Sequence, residues 1–210
     1  MKFEYILTVF ITIITVVDPL GLVPVYIPIA SRFPKAKRRQ LVLYSCLIAL
    51  AISAGFLIGG KFLFHYLEID FNALYIVGGV LLFLIGLDMI YTRSKRVNVA
   101  DARNQEPTAS LKDTAVFPLA IPMLSGPGTI ATVVMFSSRH DTPQNYVVIL
   151  AAVAAAFFLA AITMTFSDAI FKLLGRTGIN VLDRVIGIIL CSLAVQFVIN
   201  AVTNLARAVG

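Results

Sequence analysis

Two short clusters of proline, glycine and polar residues interrupt two of the long apolar stretches in this sequence. The first cluster lies at Val17–Pro24 and the second at Ile121–Ile130. Proline removes a backbone donor and glycine lets the chain turn, so each cluster is expected to break a helix. Where a broken helix resumes, its first peptide N–H groups and its positive dipole end suit a carboxylate ligand. The residues that such a substrate site would use are Asp18, Pro19, Gly21, Ser125, Gly126, Gly128 and Thr129.

The two clusters together offer groups of both signs. Helix ends near Gly21 and Gly128 would hold a carboxylate, and nearby hydroxyl groups at Ser125 and Thr129 would add hydrogen bonds. Asp18 places a negative charge near the middle of its apolar stretch, which suits an ammonium group or a coupling ion, sodium or a proton. A small zwitterionic amino acid matches both signs. Two alternatives stay open: the clusters only kink packed helices, or the Asp18 carboxylate only bonds the loosened backbone.

The elements that must position these clusters are six apolar runs, each long enough to cross a bilayer. Hydrophobic residues make up 59% of the chain and charged residues 13%, which excludes disorder and does not favour a water-soluble domain. A helix needs about 20 mostly apolar residues to cross the hydrocarbon layer. The sequence therefore predicts an all-α integral membrane protein in which transmembrane helices 1 and 4 are broken at mid-membrane. The runs lie at about Tyr5–Ala30, Leu41–Gly60, Phe71–Tyr91, Thr114–Phe136, Tyr146–Ser167 and Leu182–Leu205.

The two halves of the chain resemble each other when one is shifted onto the other. A shift of 107 places Gly21 on Gly128, and a shift of 108 places Asp88 on Gln196. Three helices in each half would give two inverted three-helix repeats, as in many secondary transporters. Asp88 and Gln196 are then candidates for coupling or gating, while Asp88 also fits an interfacial residue that reaches toward the cytoplasm. A single transmembrane domain, 1–210, would comprise repeat 1 at about 1–95, a polar cytoplasmic connector at about 92–113 and repeat 2 at about 113–210.

Lysine and arginine are distributed unequally between the two sides of the predicted membrane. The loops after helices 1, 3 and 5 hold 13 of these residues, and the opposite side holds 4. Positive charge favours the cytoplasmic side, so the sequence predicts a multi-pass protein with both termini outside. This orientation and attraction to anionic lipids explain the basic stretch Arg32–Gln40 without a further partner. Gly55, Gly59, Gly60, Gly78, Gly79 and Gly86 are expected to allow close contact between helices.

Several other kinds of chemistry are not supported by the sequence. Cys46 and Cys191 stand alone without metal-ligand spacing, so neither a metal site nor a disulfide framework is expected. The sequence shows no basic face with stacking residues for nucleic acid and no phosphate-binding loop for nucleotide hydrolysis. An intramembrane aspartyl protease would need two close carboxylates, and the residues before Asp88 lack the glycine spacing of its signature. We expect no enzyme and no cofactor; a small-solute channel or a membrane scaffold is the alternative to a carrier.

Three stretches of the sequence carry a resemblance to a known family: Asp18–Pro24, Pro118–Ala131 and Gly178–Val202. With them the chain resembles, over nearly its whole length, the MarC family of six-helix bacterial and archaeal membrane proteins. That family is also called the neutral amino acid transporter family, and it is related at a distance to amino acid exporters of the lysine exporter superfamily. The resemblance implies a protein embedded in the lipid bilayer of the inner membrane whose substrate is a small neutral amino acid.

Overall fold

The computed structural model describes residues 3–66, 68, 70–91, 110–139 and 142–209. Within these ranges every regular element is a helix, and an irregular helical segment at Ala115–Leu124 joins two of the helices. The helices are α1 (Phe3–Val17), α2 (Val23–Ala30), α3 (Lys35–Tyr66), α4 (Phe71–Tyr91), α5 (Leu111–Thr114), α6 (Pro127–Arg139), α7 (Pro143–Thr165) and α8 (Ser167–Val209). Helix α8 bends at Gly175, where φ is +61°.

The helices differ in how clearly they could cross a membrane. A bent pair, Leu111–Leu124 with Pro127–Ser138, passes as one broken span with a bend of 56°. Phe3–Val17 and Tyr75–Tyr91 are apolar but shorter. Three helical stretches are long and apolar enough by themselves, at Lys35–Gly60, Pro143–Thr165 and Thr177–Arg207. The described part of the chain is therefore an all-helical membrane protein with three to four clear spans plus shorter apolar helices.

The distribution of side chains agrees with a lipid environment. Large apolar side chains such as Ile58, Phe158 and Ile188 are exposed on the outer faces of the helices. Buried positions include hydroxyl side chains such as Ser45 and Thr132, each of which donates to a backbone carbonyl of its own helix. Lipid tails solvate the apolar exterior, and polar groups at that depth must find partners inside the protein.

The first apolar run is interrupted at its proline and glycine cluster, as the sequence predicts. Helix α1 ends at Val17, and the next residue, Asp18, adopts the left-handed conformation with φ of +47°. Aspartate and asparagine tolerate this conformation better than most residues. Helix α2 begins at Val23 with Pro24 in its first turn, where the missing N–H costs little.

The second cluster also breaks its helix. Phe117 and Ile121 are extended, with φ and ψ near −127°, 124° and −125°, 126°. Each precedes a proline, and proline disfavours the helical conformation in the residue before it. A regular helix resumes only at Pro127. Both interruptions predicted from the sequence are therefore present.

Helix α4 packs closely along α8 through glycines. A Cβ atom built on Gly86 would lie 2.8 Å from the carbonyl oxygen of Gly187, and one built on Gly187 would lie 2.8 Å from that of Gly86. One built on Gly79 would lie 2.8 Å from the carbonyl oxygen of Ala194. Because the contacts follow opposite orders along the two helices, α4 and α8 are antiparallel there. The predicted role of glycine in helix contact is confirmed at these positions.

One further expectation needs correction, and another falls mostly outside the described ranges. Gly55 and Gly59 do not make the predicted helix contact: within the described ranges, no heavy atom other than the local backbone of α3 lies within 4 Å of a Cβ built there. Both lie on an exposed face of α3. The predicted polar connector falls mostly on residues 92–109, outside the described ranges. Its last part is helical instead, because Ser110 and Asp113 form a reciprocal cap at the start of α5.

Candidate functional site

A cavity of about 460 Å³ lies where the two broken helices approach α4. Such a volume is in the range of small-molecule sites, which are mostly apolar with a few polar groups that orient the ligand. Its apolar wall includes Val25, Ile85 and Met123. The sequence-predicted residues that line it are Asp18, Gly21, Asp88, Gly126, Gly128 and Thr129. Residues from positions more than 100 apart in the sequence therefore share one cavity.

Asp18 closes the end of α1 and also lines the cavity. Only 7% of the residue is exposed, and its backbone N–H donates to the carbonyl of Ile14 at 3.0 Å. Its carboxylate atom Oδ1 accepts the backbone N–H of Gly21 at 3.2 Å. This bond is the structural use of Asp18 that the sequence left open. The same carboxylate brings a buried acidic group to the cavity wall.

The first turn of α6 forms another part of the cavity lining. The helix begins at Pro127, and the first peptide N–H groups of a helix have no partner within it. Gly128 and Thr129 belong to this first turn, and both line the cavity. The side-chain hydroxyl of Thr129 turns back and donates to the carbonyl of Leu124 at 2.9 Å. The hydroxyl proton of Thr129 is therefore used within the protein.

Gly128 packs closely against side chains of neighbouring helices. A Cβ atom built there would lie 2.8 Å from Cδ1 of Ile85 and 3.4 Å from side-chain atoms of Leu82 and Val16. These neighbours are the ends of side chains, which can shift more easily than backbone. A side chain at this position would therefore displace Ile85, which also lines the cavity.

Pro19 and Ser125 do not line the cavity, although the sequence placed them with the other site residues. The carbonyl of Pro19 accepts the hydroxyl of Thr163 at 2.8 Å. The hydroxyl of Ser125, 1% exposed, lies 3.0 Å from that of Ser53. Thr163 belongs to α7 and Ser53 to α3, so each break is supported by a helix distant in the sequence. The sequence signal for these two partners is weak: each is a small polar residue within an otherwise apolar helix.

Asp88 and Gln196 are placed differently from each other. Asp88 lines the cavity near the end of α4 and is exposed. Gln196 lies on α8 away from the cavity lining, and its side-chain amide donates to Oδ1 of Asn200 at 3.0 Å. The two positions matched by the 108-residue shift therefore do not share one cavity. The cavity combines two carboxylate residues, Asp18 and Asp88, with the start of a helix.

Comparison with known proteins gives a consistent family assignment. The sequence model described as "MarC family integral membrane protein" matches residues 3–206. A protein of Aquifex aeolicus described as "UPF0056 membrane protein" is 33% identical over 200 residues, covering 94% of this chain and 92% of its own. A similarly described protein of Methanocaldococcus jannaschii is 32% identical over 203 residues, covering 96% and 98%. One of Bacillus subtilis is 30% identical over 198 residues, covering 94% of each. No solved structure is significantly similar.

Proposed function

The chain belongs to the MarC family of integral membrane proteins, and on this premise we propose that it is a secondary carrier of small neutral amino acids. The observation that carries the proposal is the arrangement of opposite polarities across one cavity. The Asp18 carboxylate lies on one wall and the first turn of α6 on another. A helix N-terminus attracts anions, and a buried carboxylate attracts cations.

In this proposal the substrate is bound as a zwitterion. Its carboxylate accepts the N–H groups of Gly128 and Thr129, and its ammonium group lies toward Asp18. The apolar wall formed by residues such as Ile85 and Met123 surrounds a short uncharged side chain. A proton or a sodium ion couples the movement to an ion gradient, and Asp88 at the exposed side of the cavity is the candidate for this coupling. The protein acts as a carrier, not as an enzyme.

The membrane arrangement that goes with this function has six spans in two inverted repeats. The antiparallel contact between α4 and α8 supports it. The 108-residue shift that matches Asp88 with Gln196 also places Gly79 on Gly187 and Gly86 on Ala194. The shift therefore maps the Gly79–Ala194 contact onto the Gly86–Gly187 contact. A pair of contacts that exchange under the same shift is what a twofold relation between the halves requires.

We propose an orientation of the chain in which both termini lie outside the inner membrane. Besides the charge distribution, an ion pair supports a common end for the basic stretch after α2 and the start of α8. The Arg38 guanidinium atom Nη1 lies 3.6 Å from Oδ2 of Asp168. This pair connects two segments that are predicted to be cytoplasmic.

A reporter fusion tests this orientation. We expect alkaline phosphatase fused after Gly210 to be active, because the enzyme matures only outside the cytoplasm. The matched control carries the same reporter after Gln105, in the predicted cytoplasmic connector, and is expected to be inactive. Activity of the Gln105 fusion together with inactivity of the Gly210 fusion would reverse the orientation.

Counterflow in proteoliposomes tests the function itself. We expect vesicles preloaded with alanine, serine or valine to accumulate the same labelled amino acid transiently, because a carrier exchanges its substrate. Alaninamide should compete at least tenfold more weakly than alanine, since it offers no anion to the first turn of α6; tenfold corresponds to about 1.4 kcal/mol. A channel or a scaffold would give no counterflow, and equal competition by the amide would contradict the carboxylate site.

A further inference from the structure

A second cavity lies at the far ends of α4, α6 and α8. Its volume is about 530 Å³, larger than that of the first. In contrast to the mostly apolar first cavity, its lining is polar and includes one cation, Arg207. The amide side chains in its wall belong to Asn72, Asn200 and Asn204, and Thr203 and Ser138 add hydroxyl groups.

The two cavities lie at opposite ends of the same helices. Along α4 the first cavity reaches back to Leu84, and the second begins at Tyr75. Along α6 the first cavity reaches Thr129, and the second begins at Ser138. Each interval is nine positions long, or about 13 Å at the helical rise of 1.5 Å per residue. A layer of protein of that thickness separates them.

Buried aromatic side chains fill this layer. The Phe136 and Phe197 rings are 0% and 3% exposed and meet edge to face with centroids 6.2 Å apart. Phe197 also contacts Tyr75 of the second cavity's wall edge to face at 6.3 Å. The hydroxyl of Tyr75 donates to the carbonyl of Met135 at 3.3 Å, which attaches it to α6. The rings from α4, α6 and α8 thus interlock between the cavities.

We propose that the second cavity is the substrate vestibule of the opposite membrane face and that the Phe136–Phe197 pair is the closed barrier between the two cavities. The inference rests on the proposed carrier function and extends it to a second binding site. Arg207 binds the carboxylate of the amino acid, and amide oxygens of Asn72 and Asn204 accept its ammonium group. Gln196, which donates to Asn200 of this vestibule, is the counterpart here of Asp88 in the first cavity.

Sided cysteine labelling tests the two-vestibule arrangement without requiring transport. Thr203→Cys reports on the second cavity and Met123→Cys on the first, each in full-length protein with Cys46 and Cys191 replaced by alanine. A membrane-impermeant thiol reagent should label Thr203→Cys only from one side of the membrane and Met123→Cys only from the other. Labelling of both positions from the same side would overturn the proposal.

Opening the barrier should connect the two cavities. Combined with Met123→Cys, Phe197→Ala should raise the labelling rate from the Thr203 side at least tenfold, because removal of the ring leaves a passage beside Phe136. Phe197→Leu, which keeps more of the volume, should give a smaller increase and guards against loss of folding in the alanine variant. The matched control is Phe158→Ala, on an exposed face of α7, which should leave the rate unchanged. An equal increase in the control variant would refute a barrier at Phe197.

Protection by alanine tests ligand binding at the vestibule. Alanine should slow labelling of Thr203→Cys at least threefold, and Arg207→Gln should abolish this protection, measured in each variant as the ratio of labelling rates with and without alanine. Absence of protection in a protein that performs counterflow would refute the vestibule and leave the carrier function intact. Protection without counterflow would refute the carrier function and leave the binding site intact.

Discussion

Replacement of Asp18 by asparagine is expected to lower coupled amino acid transport by at least about 100-fold while the protein keeps its fold. Asparagine tolerates the left-handed conformation that Asp18 adopts, and its amide oxygen can still accept the N–H of Gly21. What it loses is the negative charge at the cavity wall. Removal of one partner from a buried charge pair costs about 3–5 kcal/mol, which exceeds the roughly 2.7 kcal/mol that a 100-fold change requires.

The measurement compares initial rates of counterflow and of ion-driven uptake in proteoliposomes that contain equal amounts of purified protein. Asp168→Asn is the matched control, because it removes a carboxylate that is exposed and outside the cavity. Asp18→Ala adds a third comparison: it removes the acceptor for Gly21 as well, so it should also lower the thermal stability. Unchanged uptake by a folded Asp18→Asn protein would show that the carboxylate serves only the backbone.

Replacement of Gly86 by alanine is expected to be the most damaging of the small changes in the helix packing. The new Cβ would lie 2.6 Å from the Cys191 sulfur and 2.8 Å from the carbonyl oxygen of Gly187. A backbone oxygen inside a helix cannot swing aside, so α4 and α8 must separate. Overpacking of this kind costs about 1–3 kcal/mol or more, which corresponds to a fall in Tm on the order of 5–10 °C for a chain of this size.

Gly59→Ala is the control for this second substitution. It is the same chemical change in a long apolar helix, but apart from the local backbone of its own helix none of the described atoms lies within 4 Å of its new Cβ. Alanine is also the better helix former by about 1 kcal/mol, so the Tm should stay the same or rise. Thermal unfolding of both variants in one detergent decides the matter. Equal shifts for Gly86→Ala and Gly59→Ala would show that the close approach does not limit stability.

The contrast between these two glycines shows where prediction from the sequence stops. Glycine in an apolar run indicates that two helices could approach, but the helix must also turn that residue toward a neighbour. Gly86 faces α8, whereas Gly59 lies on an exposed face of α3. Rotation of a helix about its axis depends on its partners, and a uniformly apolar helix carries little periodicity that reveals it. The sequence analysis predicts helix contact for both glycines, and this prediction is wrong for Gly59.

The candidate site also contains features that could be predicted from the sequence and features that could not. The breaks at both clusters could be predicted because proline and glycine act on their own backbone. The directions of side chains could not: Ser125 lies beside Ser53, and the hydroxyl of Thr129 returns to Leu124. The Thr129 hydroxyl donates to a backbone carbonyl at the break, whereas the Ser125 hydroxyl pairs with another side chain. An unsatisfied polar group in an apolar interior costs several kcal/mol, so each hydroxyl has a partner within the protein that the sequence does not show.

The two glycine contacts between α4 and α8 resemble the contacts between two identical subunits. In an isologous contact each partner presents the same patch that it receives, which is the rule around a twofold axis. Here the 108-residue shift exchanges the Gly86–Gly187 contact with the Gly79–Ala194 contact, and in each of them a backbone carbonyl fills the space beside a glycine. Two copies of one ancestral unit, inserted in opposite directions as the proposed repeat requires, would meet through this same surface. Gene fusion would then retain in one polypeptide a dimer interface that was already complete.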